Sequence, residues 1–270
     1  MMKQAIVVAG FGVGDAQVKK RCIDSLLEDL SRSFGQDYDI YEAWTSDFLR
    51  RKMAKEGYIY PNLAGVLEDL KAQNYKRVAV MPTHLTPGEE WQKKIMPVLK
   101  EYEGVFQRLG FMEPVLTAAS PEEFAFIAED IQAFFQLEDL TAGEELVLMG
   151  HGSPHYHNPV YEYLQSFADQ RKWPVHIGVV EPEDYPNQQN VIDRLLAKGC
   201  QKVYLRPLLL AGGNHATYDL AGDQEDSWKN RLSQAGLEVR YSTKGLGEYE
   251  AFRSLYVKKL AAFLHNFQTL

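Results

Sequence analysis

The sequence lacks most features that mark membrane-spanning, disulfide-rich or nucleic-acid-binding proteins. Its 270 residues include only two cysteines, Cys22 and Cys200. They are too few for a cysteine-based zinc site, and their helix-like or turn-like surroundings favour free thiols over a disulfide. No apolar run reaches the roughly 18 residues of a membrane span. Acidic residues (37) outnumber Lys and Arg (29), the net charge is −8, and no basic stripe is present, which argues against nucleic acid as a partner.

Two nucleotide-binding signatures are also missing. No GxxxxGK[ST] motif occurs, and Gly10-x-Gly12-x-Gly14 departs from the dinucleotide fingerprint, which needs a glycine where this chain has Asp15. An aspartate there would repel a pyrophosphate at a helix N-terminus, so the motif predicts a tight strand-to-helix turn with Asp15 as N-cap. The same glycines interrupt the apolar N-terminal run, which therefore does not read as a signal peptide, and we expect a cytoplasmic protein.

Short apolar, β-branched runs alternate with longer amphipathic ones along the chain, a pattern that predicts an α/β fold with parallel sheets covered on both faces. The predicted strands are 4–9, 38–43, 77–81, 113–117, 145–149, 175–180, 202–206 and 237–241. The predicted helices are about 15–34, 46–55, 61–73, 89–109, 121–136, 158–171, 187–198, 224–235 and 247–267. Eight strands divide four and four, so we predict two similar domains, each a four-stranded parallel sheet flanked by helices.

An internal repeat supports this division. Residues 66–88 and 191–213 align without a gap at a constant offset of 125, and the same offset places Glu90 on His215. The polar stretch 137–144 separates the halves. We predict an N-terminal domain over 1–140, a C-terminal domain over 141–246, and a terminal helix over 247–270 that can pack back on the N-terminal domain. A duplicated scaffold of this kind suggests a cleft between two similar halves.

Three side chains that can bind a metal or move a proton follow predicted strands. His151 lies between two glycines at a strand end, while Glu90 and His215 occupy equivalent places in the repeat. Ligands collect beyond the carboxyl ends of parallel strands. Two imidazoles and a carboxylate bind Zn²⁺, Co²⁺, Ni²⁺ or Fe²⁺ well, so these residues are the candidate metal ligands and proton acceptors.

Other polar residues near these positions have simpler interpretations. His155 and His157, taken individually, are typical of a solvated loop. The acidic run from Asp219 to Asp226 reads most simply as a solvated loop, although it is also compatible with a path for a divalent cation toward His215. Asp219 stands four residues after His215, a spacing that places both on one helix face.

Several motifs resemble those of the anaerobic cobaltochelatases, class II chelatases that insert Co²⁺ into sirohydrochlorin on the oxygen-independent route to vitamin B12. The resemblance extends from the first strand to the terminal helix. It rests on THLTPGEEW, MGHGSPH, LLLAGGNHATYDLAGD with the following DSWK, and GLGE. It implies a ferrochelatase-like fold with the active site in the interdomain cleft. It also implies a lyase of the cytoplasm that uses Co²⁺ and sirohydrochlorin as substrates and has no bound organic cofactor.

The resemblance also assigns roles to individual residues. By motif, the metal ligands fall on His151, His215 and Glu90. The tetrapyrrole is expected beside Phe11, Trp91, Gly152 and Ser153. The chain departs from the family where its first strand ends in AGFGVG and where PGEEW replaces a typical NGDEY, and both changes border the expected tetrapyrrole pocket.

Several alternatives stay open at this point. Fe²⁺ or Ni²⁺ could replace Co²⁺, because the ligands do not separate these metals. A non-catalytic tetrapyrrole or metal carrier could use the same scaffold, although it would not need a proton acceptor in each half. A two-domain periplasmic solute binder is disfavoured by the absence of an export signal. We expect no nucleic acid and no membrane as partners, and the sequence does not decide whether the chain forms a homo-oligomer.

Overall fold

The structure is a computed structural model that describes residues 2–117, 135, 137–153 and 157–269. The chain folds into two compact units: Met1–Thr117 together with Arg253–Leu270, and Ala118–Phe252. The chain thus passes from the first unit to the second at residue 117. The segment 118–134 lies outside the described residues, and it includes most of the predicted helix 121–136. The predicted domain boundary near residue 140 follows this segment and stays a prediction.

The first unit contains a parallel sheet in the order β2-β1-β3-β4. Its strands are β1 Gln4–Gly10, β2 Asp39–Trp44, β3 Arg77–Pro82 and β4 Arg108–Phe111. Its helical segments are Ala16–Lys19, a π-helical turn Lys20–Asp24, Ser25–Phe34, Asp47–Lys55, Leu63–Ala72, a second π-helical turn Trp91–Ile95, and Met96–Glu101. As predicted, Asp15 caps the first helix, its carboxylate accepting the N–H groups of Gln17 and Val18.

The second unit repeats this sheet in the order β6-β5-β7-β8, also parallel throughout. Its strands are β5 Glu144–Gly150, β6 Val175–Val179, β7 Lys202–Pro207 and β8 Glu238–Tyr241. Its helical segments are a 3₁₀ turn Leu137–Asp139, Val160–Gln170, Gln188–Ala197, Gly213–His215, a π-helical turn Ala216–Leu220, Trp228–Gln234, and a 3₁₀ turn Leu246–Glu248. The last helix spans Glu250–Thr269. The predicted fold class is confirmed.

The repeat is present in three dimensions with the offset that the sequence shows. The helices Leu63–Ala72 and Gln188–Ala197 begin and end 125 residues apart, and so do β3 and β7. The π-helical turns Trp91–Ile95 and Ala216–Leu220 keep the same offset. Glu90 and His215 each directly precede their turn with nearly the same backbone angles, φ −60° in both and ψ −42° and −41°. The two residues therefore occupy equivalent positions of the two units.

Each sheet is buried between helices and has its own core. In the first unit Val78 and Val80 of β3 are fully buried, and in the second unit Val203 and Leu205 of β7 occupy the equivalent places. Such strands are apolar on both faces because helices cover both faces of the sheet. Both cysteines are reduced thiols, with Cys22 buried and Cys200 partly exposed.

Two predicted elements are wrong, both near the edge of the first sheet. The predicted helix 89–109 ends at Glu101, because Gly104 with φ +75° turns the chain out of the helix. The predicted strand 113–117 is not a strand, and β4 instead uses Arg108–Phe111, which overlaps the last two residues of the predicted helix. Gly110 of β4 packs so closely under Phe267 and Phe263 of the last helix that an added Cβ would lie 2.8 Å from the Phe267 ring.

No helix among the described residues combines the length and the apolar character needed to cross a membrane.

Candidate metal and proton-transfer site

The second unit brings His151 and His215 together at the carboxyl edge of its sheet. His151 directly follows β5, and His215 lies in the short helix after β7, the strand that pairs with β5. The ring centroids are 4.6 Å apart with the planes at 78°. Residues 64 positions apart in the chain thus form one pair because parallel strands end at the same edge.

Each imidazole is oriented through its Nδ1 atom. Nδ1 of His151 lies 3.1 Å from the carbonyl oxygen of Gly152, and Nδ1 of His215 lies 2.6 Å from Oδ2 of Asp219. A carbonyl or carboxylate beside Nδ1 places the proton of a neutral imidazole on that atom, so the lone pair is on Nε2. Both rings therefore present Nε2 as the atom that can bind a metal or accept a proton.

The surroundings of His151 favour its neutral form. Burial against neighbouring atoms is the largest effect that lowers its pKa below 6.5, and the nearby His215 lowers it further. The carbonyl of Gly152 and the carboxylates of Glu181 and Asp219 oppose this shift without reversing it. At neutral pH the ring is therefore a Lewis base rather than a cation.

Glycines on both sides of His151 permit this arrangement. An added Cβ at Gly150 would lie 2.5 Å from the Tyr161 ring, and at Gly152 it would lie 2.8 Å from Cβ of Val179. Gly152 also has φ +79°, a conformation that L side chains rarely adopt. The Gly-His-Gly sequence thus lets the chain turn sharply at the strand end and leaves the His151 ring half exposed.

Glu181 is a site residue that the sequence prediction did not include. Its Oε1 lies 4.0 Å from Nδ1 of His151, and its backbone N–H donates to the His151 carbonyl. The sequence contained a signal, because a glutamate stands near the end of the second strand of each half. Glu42, the glutamate in the first unit, is instead neutralised by Lys19 at 3.0 Å and accepts the indole N–H of Trp44 at 2.7 Å.

Glu90 lies in the first unit, after β3 and at the start of its π-helical turn. Its Oε2 is buried and has no hydrogen-bond partner among the described residues. His84, in the same loop, also has both ring nitrogens buried without such a partner, and burial lowers its pKa to about 4. The structure supports Glu90 as an uncommitted carboxylate, and its role as a metal ligand remains a prediction.

The residues expected beside the tetrapyrrole differ in their positions. Phe11 is 48% exposed after β1, at the place in the first unit that His151 occupies in the second. Trp91, in contrast, is 2% exposed and packs edge-on against Phe111 in the core. Adjacent residues of a helical turn point in different directions, and Trp91, the residue after Glu90, faces the core. A side chain buried in this way does not agree with a contact to the macrocycle. Ser153 is buried and donates its N–H to Asp184 at 2.9 Å.

The structure gives partners for some of the other polar residues considered in the sequence, namely His157 and members of the acidic run Asp219–Asp226. His157 lies between Asp184 and Glu162, at 3.1 and 2.7 Å. Within the acidic run, Asp219 contacts His215 as predicted, while Asp223 is fully exposed and pairs with Lys229 at 3.2 Å. His155 lies outside the described residues.

Across the described part of the chain, no group of three or more His, Cys, Asp or Glu side chains has a geometry ready to hold a metal ion. The pair His151 and His215, with Glu181 nearby, is therefore a candidate site on the strength of its position and contacts.

Comparison with known proteins identifies the family of the chain. A model of the family described as cobalt chelatase (CbiK) matches residues 4–265. The sirohydrochlorin cobaltochelatase of Salmonella typhimurium is 32% identical over 260 residues, covering 96% of each chain. The sirohydrochlorin cobaltochelatase CbiKC of Nitratidesulfovibrio vulgaris is 29% identical over 268 residues, covering 97% of this chain and 91% of the relative.

Solved structures show the same fold at low sequence identity. SirB from Bacillus subtilis with Fe³⁺ superposes with a TM-score of 0.61 at 16% identity, covering 98% of this chain and 99% of SirB. CbiX, described as the terminal enzyme of siroheme biosynthesis in denitrifying bacteria, gives 0.51 at 15% identity, covering 96% and 98%. The family match over nearly the whole sequence confirms the resemblance seen in the motifs, and the chain belongs to the cobalt chelatase (CbiK) family.

Proposed function

We propose that this protein inserts Co²⁺ into sirohydrochlorin in anaerobic cobalamin biosynthesis. The observation that carries the proposal is the pair of imidazoles of His151 and His215, whose rings lie 4.6 Å apart and whose Nδ1 atoms each face an oxygen. Family membership supplies the substrate class, because curated relatives are named sirohydrochlorin cobaltochelatases.

The chemistry of metal insertion explains why such a pair is useful. Two pyrrole N–H protons must leave the macrocycle, and the metal must exchange bound waters for ring nitrogens. Neutral imidazoles can hold a divalent cation weakly through Nε2 and can accept protons near neutral pH. The lowered pKa of His151 keeps that residue available for the metal, and loss of the metal to the macrocycle frees it to accept a proton.

A carboxylate completes the proposed site, and the chain offers two candidates. Glu181 lies beside His151 within the same unit, with Oε1 4.0 Å from Nδ1. Glu90 is the counterpart of His215 in the repeat, and no described residue pairs with its buried oxygen. We assign Glu181 as the carboxylate that stabilises the metal beside the histidines, and we retain Glu90 as the group of the first unit that anchors the metal or relays protons. Phe11 remains the proposed aromatic contact for the macrocycle.

The decisive experiment mixes purified protein with metal-free sirohydrochlorin and Co²⁺, Ni²⁺ or Fe²⁺ under anaerobic conditions. The rate of absorbance change is compared with a reaction without protein and with His215→Ala. We expect the protein to accelerate cobalt insertion and His215→Ala to reduce kcat/KM by at least about tenfold, equivalent to about 1.4 kcal/mol.

Two other results would give different functions. Faster insertion of Fe²⁺ or Ni²⁺ than of Co²⁺ would make the protein a chelatase for that metal. Tight binding of sirohydrochlorin without any acceleration over the protein-free reaction would show a carrier and would refute the chelatase proposal.

A further inference from the structure

Asp184 is a buried carboxylate at the edge of the metal site, and the proposed chemistry leaves it without a role. Its side chain is fully inaccessible to solvent. A buried charge is costly unless several donors compensate it. Here Oδ2 accepts the N–H of Ser153 at 2.9 Å, and Oδ1 accepts the N–H of Tyr185 at 2.8 Å. The imidazole of His157 lies 3.1 Å from the same Oδ1 through its Nδ1.

These contacts join the two loops that carry the proposed metal-binding side chains. Ser153 is two residues after His151 in the loop that follows β5, and Asp184 is three residues after Glu181 in the loop that follows β6. Backbone hydrogen bonds continue the connection, from Glu181 N–H to the His151 carbonyl and from Asp184 N–H to the Glu181 carbonyl, each 3.2 Å. The carboxylate thus connects the described parts of the two loops beyond the paired ends of β5 and β6.

Packing around Gly152 also places Asp184 against the loop that carries His151. A Cβ at Gly152 would lie 3.1 Å from Oδ2 of Asp184, so the loop that carries His151 passes directly over the carboxylate. On the other side, His157 bridges Asp184 to Glu162 of the helix Val160–Gln170, with Nε2 2.7 Å from Oε2. The carboxylate is therefore fixed from the loop, from its own backbone and from a helix.

We propose that Asp184 is a positioning residue that sets the separation and orientation of His151 and Glu181 for binding the metal. It does not touch the metal or the macrocycle. The inference rests on the proposed function for the identity of the metal. Partners that orient metal ligands commonly change metal affinity by about 10- to 100-fold when they are replaced.

The matched test compares Asp184→Asn with Glu183→Gln. Asparagine keeps the size of the side chain, but its NH₂ group cannot accept a hydrogen bond, so one of the Ser153 and Tyr185 N–H groups loses its acceptor. Glu183 is the adjacent exposed carboxylate, and its replacement removes the same charge from the same loop. Co²⁺ affinity is measured by titrating metal into the full-length protein without macrocycle and following the visible spectrum of bound Co²⁺. Thermal unfolding and the KM values for both substrates are measured in parallel.

We expect Asp184→Asn to weaken Co²⁺ binding by about tenfold and to change the Co²⁺ spectrum. The KM for Co²⁺ should rise while the KM for sirohydrochlorin stays within about twofold, a division that a general loss of stability does not produce. Glu183→Gln should match the parent in all of these. Equal Co²⁺ affinity and spectrum in Asp184→Asn and Glu183→Gln would overturn the positioning role.

Two further results separate this proposal from the proposed function. If the parent fails to insert cobalt but Asp184→Asn still loses Co²⁺ affinity, the chelatase assignment fails and the positioning role stands. If Asp184→Asn does not fold, His157→Gln is the deciding variant, because it removes the imidazole contact and leaves the carboxylate with its two N–H donors. A Co²⁺ affinity several-fold lower than that of Glu183→Gln supports the proposal, and an unchanged affinity refutes it.

Discussion

At the scale of single residues, the two candidate carboxylates can be distinguished by matched substitutions. Glu181→Gln removes the negative charge 4.0 Å from His151 while keeping the side-chain size. We expect a rise of about tenfold or more in the KM for Co²⁺, because a metal-binding carboxylate is lost. Glu90→Gln in the first unit should lower kcat more than it raises that KM, as expected for a proton relay.

Steady-state kinetics with both substrates varied tests this division. Glu42→Gln is a suitable comparison, because Glu42 already pairs with Lys19 and Trp44 and is not free for a metal. If Glu90→Gln raised the KM for Co²⁺ and Glu181→Gln did not, the carboxylate that binds the metal would be Glu90, as the sequence motif predicts.

The pH dependence of metal uptake follows from the environment of His151. Burial, followed by the neighbouring His215, lowers the pKa of His151 below 6.5. Protons therefore compete with the metal only at pH values below this lowered pKa, and kcat/KM for Co²⁺ should fall as the pH decreases through it. His157 provides the opposite case. Burial alone would lower its pKa, but its hydrogen bonds to Asp184 and Glu162 raise it above 6.5.

NMR titration of the histidine rings, together with kcat/KM from pH 5 to 8, checks this prediction. We expect His151 to titrate at a lower pH than His157 in the metal-free protein. The reverse order of titration, or a rate that does not fall at the pH where the His151 ring titrates, would show that His151 is not the group that loses the metal on protonation.

The sequence predicted the histidine pair but not the choice of carboxylate. The repeat and the position of His151 after a strand placed both imidazoles at one edge of a sheet, since topology alone brings those ends together. Glu42 and Glu181 look alike in the sequence. They differ in the folded protein, where Lys19, from a separate helix, pairs with Glu42, whereas Glu181 lies beside His151. That contact depends on packing, which no local pattern encodes.

At the scale of elements, the strand-to-loop turn after β5 gives a stability prediction. Gly152→Ala adds a Cβ 2.8 Å from Val179 and 3.1 Å from Asp184 at φ +79°. Gly143→Ala is the control, because Gly143 has nearly the same φ, +80°, and no atom within 4 Å of an added Cβ. We expect Gly143→Ala to cost about 1 kcal/mol from backbone strain alone, and Gly152→Ala to cost about 1–3 kcal/mol more from overpacking.

Denaturant unfolding of both variants measures the difference, and the Co²⁺ affinity of each variant shows whether the turn also positions His151. Equal loss of stability in both variants would mean that the loop moves away from Val179 at little cost, and the turn would then be less rigid than its packing indicates.

The two incorrect elements show what a local pattern leaves out. Residues 89–109 have helical periodicity, yet Gly104 adopts φ +75° and the chain continues into β4. Gly110 disfavours a strand by itself, but Phe263 and Phe267 cover it, and these belong to the terminal helix more than 150 residues later. A glycine in an edge strand was therefore stabilised by a partner that the sequence around it could not reveal.

At the scale of the whole molecule, duplication explains why two similar units carry different chemistry. The places occupied by Phe11 and Glu90 in the first unit are those of His151 and His215 in the second. The scaffold thus keeps its backbone while the side chains at the strand ends change. In the proposed function, the second unit supplies the imidazoles that receive the metal, and the first supplies an exposed aromatic ring and a carboxylate.

Most of the last helix belongs to the first unit, and one buried hydroxyl on it tests how much a single hydrogen bond of this helix contributes to stability. Tyr256 of the terminal helix is fully buried, and its hydroxyl donates to the carbonyl of Thr83, which begins the loop leading to Glu90. Tyr256→Phe leaves that carbonyl without this donor. We expect a loss of about 1–3 kcal/mol in the free energy of unfolding, as for other buried groups deprived of a partner.

Tyr241→Phe is the matched control, since Tyr241 is 46% exposed and its ring contact with Lys229 needs no hydroxyl. Its unfolding free energy should stay within about 0.5 kcal/mol of the parent. Denaturant unfolding compares the two variants. Kinetics of Tyr256→Phe would then show whether a looser Thr83 carbonyl also lowers kcat through Glu90. Equal stability of the two variants would mean that the hydrogen bond from Tyr256 to Thr83 adds nothing measurable to the stability of the fold.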